Sequence, residues 1–284
     1  MKMLVMAGLT FREAGRKKLL WLALGLGGAF LALFGLGLHF ILAEIQSEAP
    51  PSITAAALRI ELTQASGLLL VMGLFVVNFL IIMMTALTSA NALPGEINSH
   101  TIQTIATKPI RRTDIVLGKW LGHGFMVALY ITFMFSGLTL ITYLISDGYM
   151  PPNFWSSLSL LILEGLIVLS LAFAGGTFFS TLANGVLVFM LYGLAFIGSW
   201  VEQIGAAMES ETAVQIGIIA SLIMPSEAIW RVVSDLVQPT LIKQMGMGPF
   251  TLFSQPSNAM IIYAVLYVVV LISGALYQFN RRDL

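Results

Sequence analysis

Long apolar stretches without charge dominate the pattern of hydrophobic and polar positions along the chain. A helix needs about 20 apolar residues to cross the hydrocarbon core of a bilayer. Six stretches meet that length: residues 19–43, 67–90, 120–146, 155–179, 182–201 and 259–279. They are continuous rather than alternating, which favours helices over the strands of a membrane barrel. The pattern predicts an all-α integral membrane bundle of six transmembrane helices in one domain, residues 1–284.

Lys and Arg are concentrated in alternate loops, and this sets the expected orientation. Eleven of the 14 basic residues lie in residues 1–18, 91–119 and 280–284. Short loops rich in Lys and Arg are retained in the cytoplasm. Both termini are therefore expected in the cytoplasm, which requires an even number of spans and agrees with six.

Two segments flank the spans. Residues 1–18 are amphipathic and are expected to form an interfacial helix, which could be a topology anchor or have a mechanical role. Residues 202–258 are expected to form an external helical cap. Within this segment residues 213–224 are apolar but too short to span, so they are expected to form an interfacial or re-entrant piece. The helix expected after them places Glu227 and Arg231 one turn apart, as a pair.

Composition supports a membrane protein and excludes several other classes. The 284 residues are 58% hydrophobic and 10% charged, whereas an ordinary soluble domain has about 25% charged residues. The formal net charge is +0, so nothing points to a nucleic-acid partner. The chain has no cysteine and three scattered histidines, so no metal site is expected. No catalytic residue is predicted, because no set of acids, or serine with histidine, clusters in the spans.

Residues 91–119 form the most informative loop. Residues 101–106 are predicted to make a short helical turn that presents Ile102 and Ile105 three positions apart, and Pro109 ends that turn. Asp114 is expected in the first turn of the next helix, where a carboxylate complements the helix dipole. Exposed isoleucines beside basic residues suggest a docking surface for a partner, and a lipid-facing loop is the alternative.

Glu164 is the one carboxylate deep within a predicted span. Such residues usually face the interior of a bundle or water, because a charge in lipid is costly. The side chain could contact a substrate or a proton, or it could be protonated and hydrogen bond to a neighbouring helix. Asn78 could likewise line a path or bond across helices.

Several motifs of this chain together resemble the permeases of type-2 ABC transporters. The motifs are Glu96 followed by Thr101-Ile102, then Lys108-Pro109-Ile110, Arg111-Arg112 and Ile115-Val116-Leu117-Gly118-Lys119. The chain is also similar to stand-alone permeases such as that of the nitrous oxide reductase maturation system, in which a Gly-His-Gly like residues 122–124 follows the loop. The resemblance extends to the six-span layout and to both termini.

The resemblance implies a permease dimer, of two copies or of two paralogues, on cytoplasmic ATP-binding cassette subunits. Residues 91–119 would be the coupling loop. The residues expected to contact the ATPase are Glu96, Thr101, Ile102, Ile105, Lys108, Pro109, Arg111, Arg112 and Asp114. This chain would bind no cofactor, because Gly118-Lys119 is followed by Trp120 and lacks the remainder of a phosphate-binding loop. ATP and Mg²⁺ would be held by the partner, so the chain is not expected to be an enzyme by itself.

The resemblance also places aromatic residues near a transport path, although ordinary packing explains each of them as well. The possible path residues are Phe75, Phe79, Phe189, Tyr192 and Phe196, with Asn78 and Glu164. The expected function is export of a hydrophobic or amphipathic substrate across a prokaryotic inner membrane, with lipid around the chain. One alternative is a permease that transmits mechanical work to an extracytoplasmic protein. A second is a secondary transporter that uses Glu164.

Overall fold

The computed structural model describes residues 2–16, 18–95, 111–239, 243 and 253–281, and no strand is present among them. The helices are α1 Lys2–Arg16, α2 Lys18–Glu48, α3 Ala55–Ser89, α4 Arg112–Ile145, α5 Phe154–Gly176, α6 Thr181–Ala207, α7 Glu211–Ile223, α8 Ser226–Val237 and α9 Asn258–Arg281. Helices α2 to α6 and α9 are long and apolar enough to cross a membrane. The prediction of an all-α protein with six candidate spans is therefore confirmed.

The longest helices extend well beyond their apolar stretches. Helix α3 has 35 residues and begins at Ala55, where the side chain of Thr54 caps it by accepting from the Ala57 amide. At 1.5 Å per residue α3 is about 50 Å long, so it must tilt or protrude from the hydrocarbon core. Helices α3, α4 and α5 form the centre of the bundle, whereas α2, α6 and α9 present most of their surface outward.

Helices α7 and α8 form a bent pair whose axes differ by 106°. With 13 and 12 residues, each is too short to cross a membrane alone. Helix α7 runs antiparallel along α6 through close contacts between small residues, such as Gly198 with Ala220. At the bend, Tyr267 of α9 donates to the carbonyl of Ile223 at 2.8 Å. The bend is therefore bonded to α9, and we call the bent pair α7–α8 the hairpin.

Burial distinguishes α8 from the surface cap that the sequence predicts. Ala228, Ile229, Val233 and Val237 are completely buried. Ile229, Val233 and Val237 belong to the same hydrophobic core as Leu70 of α3 and its neighbours on α4 and α5. Residues 226–237 are thus part of the bundle interior, because the apolar face of α8 has no other surface on which to be buried.

Helix α1 lies along the first half of α4. Its buried side chains are Met6, Thr10 and Ala14, whereas Leu4 is exposed. The close approach depends on two glycines of α4. A Cβ atom at Gly122 would lie 2.8 Å from the carbonyl oxygen of Ala7, and Gly118 is similarly crowded by α1. We call the end of the bundle near α1 the basic end, and the opposite end the hairpin end.

We expect Gly122→Leu to detach α1 from α4, because the obstructing atom at this position is backbone that cannot rotate away. The cost of overpacking is about 1–3 kcal/mol. The protein lacks cysteine, so a single Ala14→Cys reporter measures detachment as maleimide labelling, which we expect to become about tenfold faster. Gly8→Leu is the control, because no atom lies within 4 Å of a Cβ at Gly8. Equal labelling rates in the two variants would contradict this packing.

Candidate functional site

The predicted docking residues are divided by the limits of the described chain. Glu96, Thr101, Ile102, Ile105, Lys108 and Pro109 lie outside the described residues. Arg111 precedes α4 as its N-cap, and Asp114 lies in the first turn of that helix, as predicted. Arg112 reaches across the basic end and donates from Nη1 to the carbonyl of Asn280, at 3.5 Å. The exposed Arg111 and Arg112 thus flank the start of α4 where the chain emerges from the loop.

The turn at the end of α3 is bonded to α6. Asn184 of α6 donates from Nδ2 to the carbonyl of Ala90 at 3.1 Å and to that of Ala172 at 2.8 Å. Thr181 donates from Oγ1 to Oδ1 of Asn91 at 2.8 Å. Because Asn184 is fully buried, its two bonds are shielded from water and replaceable only at a cost. The end of α3 is therefore bonded to α6, which is in turn bonded to α5.

The same turn also contacts α4 and α9. Lys119 is buried and donates from Nζ to the carbonyl of Ala92 at 3.5 Å. One helical turn later, His123 bonds through Nδ1 to the carbonyl of Lys119 and lies edge-on against Phe173 of α5. Phe279 of α9 completes this apolar layer. Both chain ends of the loop are thus attached to one packed layer at the basic end.

Four polar side chains from four helices meet at the tip of the hairpin. Asn78 of α3 donates from Nδ2 to Oε1 of Glu164 on α5, at 3.2 Å. The hydroxyl of Tyr192 on α6 donates to the carboxylate of Glu227, which lies in the first turn of α8 and interacts electrostatically with Glu164. Glu164 is fully buried, and Asn78 and Glu227 are nearly so. We call these four residues the polar cluster.

Arg231 is held by a second set of groups, one turn further along α8. Its Nη1 and Nη2 donate to the two carboxylate oxygens of Glu202 on α6, at 2.6 and 2.9 Å. Nη2 also donates to Ser221 of α7, and the hydroxyl of Ser254 donates to Glu202 at 2.7 Å. The sequence pairs Arg231 with Glu227, but its two short bonds go to Glu202. This buried ion pair ties α8 to α6 and fixes the hairpin.

Aromatic rings lie directly beside the polar cluster. The ring of Phe75 is 6.1 Å from that of Trp230 and 6.4 Å from that of Phe196, measured between centroids. Tyr192 is 6.4 Å from Phe196. Of the path residues that the resemblance implies, the structure therefore brings together Phe75, Tyr192 and Phe196 with Asn78 and Glu164.

Two of the possible path residues are not part of this arrangement. Phe79 is 50% exposed on the outer surface of α3. Phe189 is partly buried and packs in a separate core around Val188 and Ala195 of α6. Sequence reasoning also missed Glu227, Trp230 and Glu202, because it assigned them to an external cap. The signal that could have indicated burial is Trp230, which lies between the charged residues Glu227 and Arg231 in the helix that follows Pro225.

A metal centre is not supported by the part of the chain that the structure describes, since it holds no group of three or more His, Asp or Glu side chains positioned to bind a metal ion. The polar cluster nevertheless offers carboxylate and amide oxygens that face one another. It can therefore accept hydrogen bonds from a proton donor or a cation.

Comparison with known proteins gives one family match. A family model described as ABC-2 family transporter protein matches residues 5–284. None of the curated proteins compared with the chain matches it. The matched range contains all the helices described above except the first three residues of α1.

Proposed function

Since the chain belongs to the ABC-2 transporter family, as a permease of the type-2 class, we propose that it couples ATP hydrolysis by a separate cytoplasmic ATPase subunit to export of a hydrophobic or amphipathic substrate. The family match over nearly the whole chain is the observation that carries this proposal. A permease of this kind holds no ATP, and it receives work at its cytoplasmic surface.

The surroundings of the loop between α3 and α4 support its role as the coupling loop. The loop leaves from a turn bonded to α6 through Asn184 and returns at the start of α4. A push on the loop therefore acts on α3, α4, α5 and α6 together. Gly118 and Lys119 are buried within α4, Gly118 against α1, so this Gly-Lys pair does not form a phosphate-binding loop.

The proposal includes the orientation and the assembly. The basic end faces the cytoplasm, because Lys and Arg concentrate there. The protein lies in a prokaryotic inner membrane with both termini inside, and α1 acts as an interfacial elbow helix. A second permease, identical or paralogous, completes the assembly. Helix α6 offers an exposed apolar surface of Leu182, Met190 and Ile197 that lipid or this second permease would cover.

One observation favours a different class of transporter. Secondary transporters often combine interrupted helices with buried ionisable groups near the membrane centre. Here the bent α7–α8 pair places Glu227 beside Glu164. Family membership outweighs the bent helix pair with its buried carboxyl groups. Because of that pair, however, the presence of an ATPase partner is the decisive test. Mechanical action on an extracytoplasmic protein remains the alternative within the ABC class.

Purification of the tagged chain from its native membranes in mild detergent tests the proposal. We expect an ATP-binding cassette subunit to co-purify in stoichiometric amount and the eluate to hydrolyse ATP. A chain that purifies without an ATPase, and whose transport instead follows an ion gradient, would contradict the proposal and support the secondary transporter. An extracytoplasmic protein in the same eluate, with no substrate moved into vesicles, would support mechanical transmission.

A further inference from the structure

The polar cluster and the adjacent rings form two layers built by the same helices. Three helices each provide one polar and one aromatic side chain, three or four positions apart: Asn78 with Phe75 on α3, Tyr192 with Phe196 on α6, and Glu227 with Trp230 on α8. Residues at this spacing share one face of a helix. The arrangement therefore presents oxygen atoms on one level and aromatic faces on the next.

The polar layer has more acceptors than donors. Oε2 of Glu164 and Oδ1 of Asn78 are buried and have no hydrogen-bond partner. An unsatisfied buried acceptor carries a desolvation penalty, so its retention in a native core requires an explanation. Both atoms belong to side chains that meet at the hairpin tip. Both would be satisfied by an N–H donor placed there, or by a proton on Oε2 of Glu164 that is donated to Oδ1 of Asn78.

Among the described residues of this region, carboxyl groups outnumber cations. Glu164 and Glu227 interact electrostatically, and Arg231, the cation that acts on Glu227, has both terminal nitrogens bonded to Glu202 and Ser221. Two neighbouring carboxyl groups within an apolar bundle cannot both be ionised without a bound cation. The site is thus built to accept positive charge.

We propose that this site binds the protonated amine of a hydrophobic organic cation, and, resting on the proposed function, that such an amine is the class of substrate exported. The ammonium group lies between Glu164 and Glu227 and donates to the unpartnered oxygens of Glu164 and Asn78. The apolar body lies against Phe75, Phe196 and Trp230. Aromatic faces attract cations, most strongly where water is excluded.

An organic amine fits this site better than an inorganic ion does. Calcium takes six to eight oxygen ligands, and the neighbours of the two carboxylates here include indole and phenyl rings rather than further oxygens. A primary ammonium needs only about three acceptors. The carboxylates and Oδ1 of Asn78 provide these, and the aromatic layer provides the apolar contact that an inorganic ion does not use.

Binding of dansylcadaverine, a fluorescent hydrophobic primary amine, tests the proposal. The full chain with its co-purified ATPase is placed in lipid nanodiscs, and fluorescence anisotropy is corrected with empty nanodiscs. The matched neutral probe is N-acetyl dansylcadaverine, which keeps the aromatic body and loses the charge. We expect the amine to bind at least tenfold more tightly, because each charge-assisted hydrogen bond changes affinity by about that factor or more.

Variants locate the binding. Glu164→Gln and Glu227→Gln should each weaken dansylcadaverine binding about tenfold, whereas Glu211→Gln, an exposed carboxylate of α7, should leave it unchanged. Equal affinity of the wild-type chain for the two probes would overturn the proposal, whether or not a variant folds. Unchanged affinity for dansylcadaverine in both folded Gln variants would also overturn the proposal. Glu164 and Glu227 would then bind only protons.

ATP hydrolysis in the same nanodiscs separates this inference from the proposed function. If the chain binds the amine but no ATPase subunit is present, the binding site is supported and ATP-driven export is refuted. If a bound ATPase hydrolyses ATP but the chain binds the amine no more tightly than the neutral probe, the permease assignment is supported and the amine site is refuted.

Discussion

Arg231→Met is expected to destabilise the folded bundle by about 3–5 kcal/mol, the cost of leaving a buried charge without its partner. Arg231 and Glu202 are 2.6 Å apart, and their side chains are 5% and 4% exposed. Methionine has similar length but cannot hydrogen bond, so Glu202 would have to take up a proton or admit water. The midpoint and slope of unfolding in SDS, followed by fluorescence of the nearby Trp230, measure the loss.

A second ion pair of the chain provides the matched control. Lys243 and Asp235 are 2.9 Å apart but about one-third exposed. Lys243→Met should therefore change stability by less than about 1 kcal/mol. The double variant Arg231→Met with Glu202→Gln should recover part of the loss, because it leaves no buried charge. If Arg231→Met and Lys243→Met had equal effects, the pair would not fix the hairpin.

Ile102→Asp and Ile105→Asp are each expected to reduce ATP hydrolysis by the purified complex at least tenfold. A carboxylate in the centre of an apolar contact must be desolvated without a partner, and loss of a central apolar anchor typically costs about 2 kcal/mol or more. The measurement is hydrolysis together with the amount of ATPase subunit that co-purifies. This is the most direct test of the coupling loop.

The control for the loop variants is Gln103→Asp, which adds the same charge at the adjacent position. Because Ile102 and Ile105 are three positions apart on one face of the predicted turn, residue 103 lies on another face. We expect Gln103→Asp to retain most of the hydrolysis and all three variants to elute as intact membrane protein. Unchanged ATPase binding and hydrolysis in both isoleucine variants would refute the assignment of the docking surface.

The spans could be predicted from sequence because the information is local. A run of about 20 apolar residues is sufficient to define a membrane helix, and the stretch at residues 182–201 lies entirely within α6. The sequence also indicated that Asn78 could bond across helices, and its bond to Glu164 is of this kind. For the spans, the neighbouring residues alone limited the possible structures, whereas the partner of Asn78 could not be named from its neighbours.

Residues 226–237 could not be placed in the same way. Glu227 and Arg231 lower the mean hydropathy of α8 and suggest a surface helix, but their partners are Tyr192 and Glu202, which lie far away in sequence. The free-energy cost of burying these charges is offset only when their partners are present. The contribution of Glu227 and Trp230 to the two layers around Glu164 was missed for the same reason, since it requires several helices to be assembled first.

The bond between Glu202 and Arg231 has a consequence for how the chain enters the membrane during synthesis. The two residues are 29 positions apart, and both are made before α9. Helices α6, α7 and α8 therefore leave the ribosome as a consecutive unit in which the opposite charges can neutralise each other early. We therefore expect the Glu202–Arg231 pair to form before α9 is made, so that α9 packs against a hairpin that is already closed.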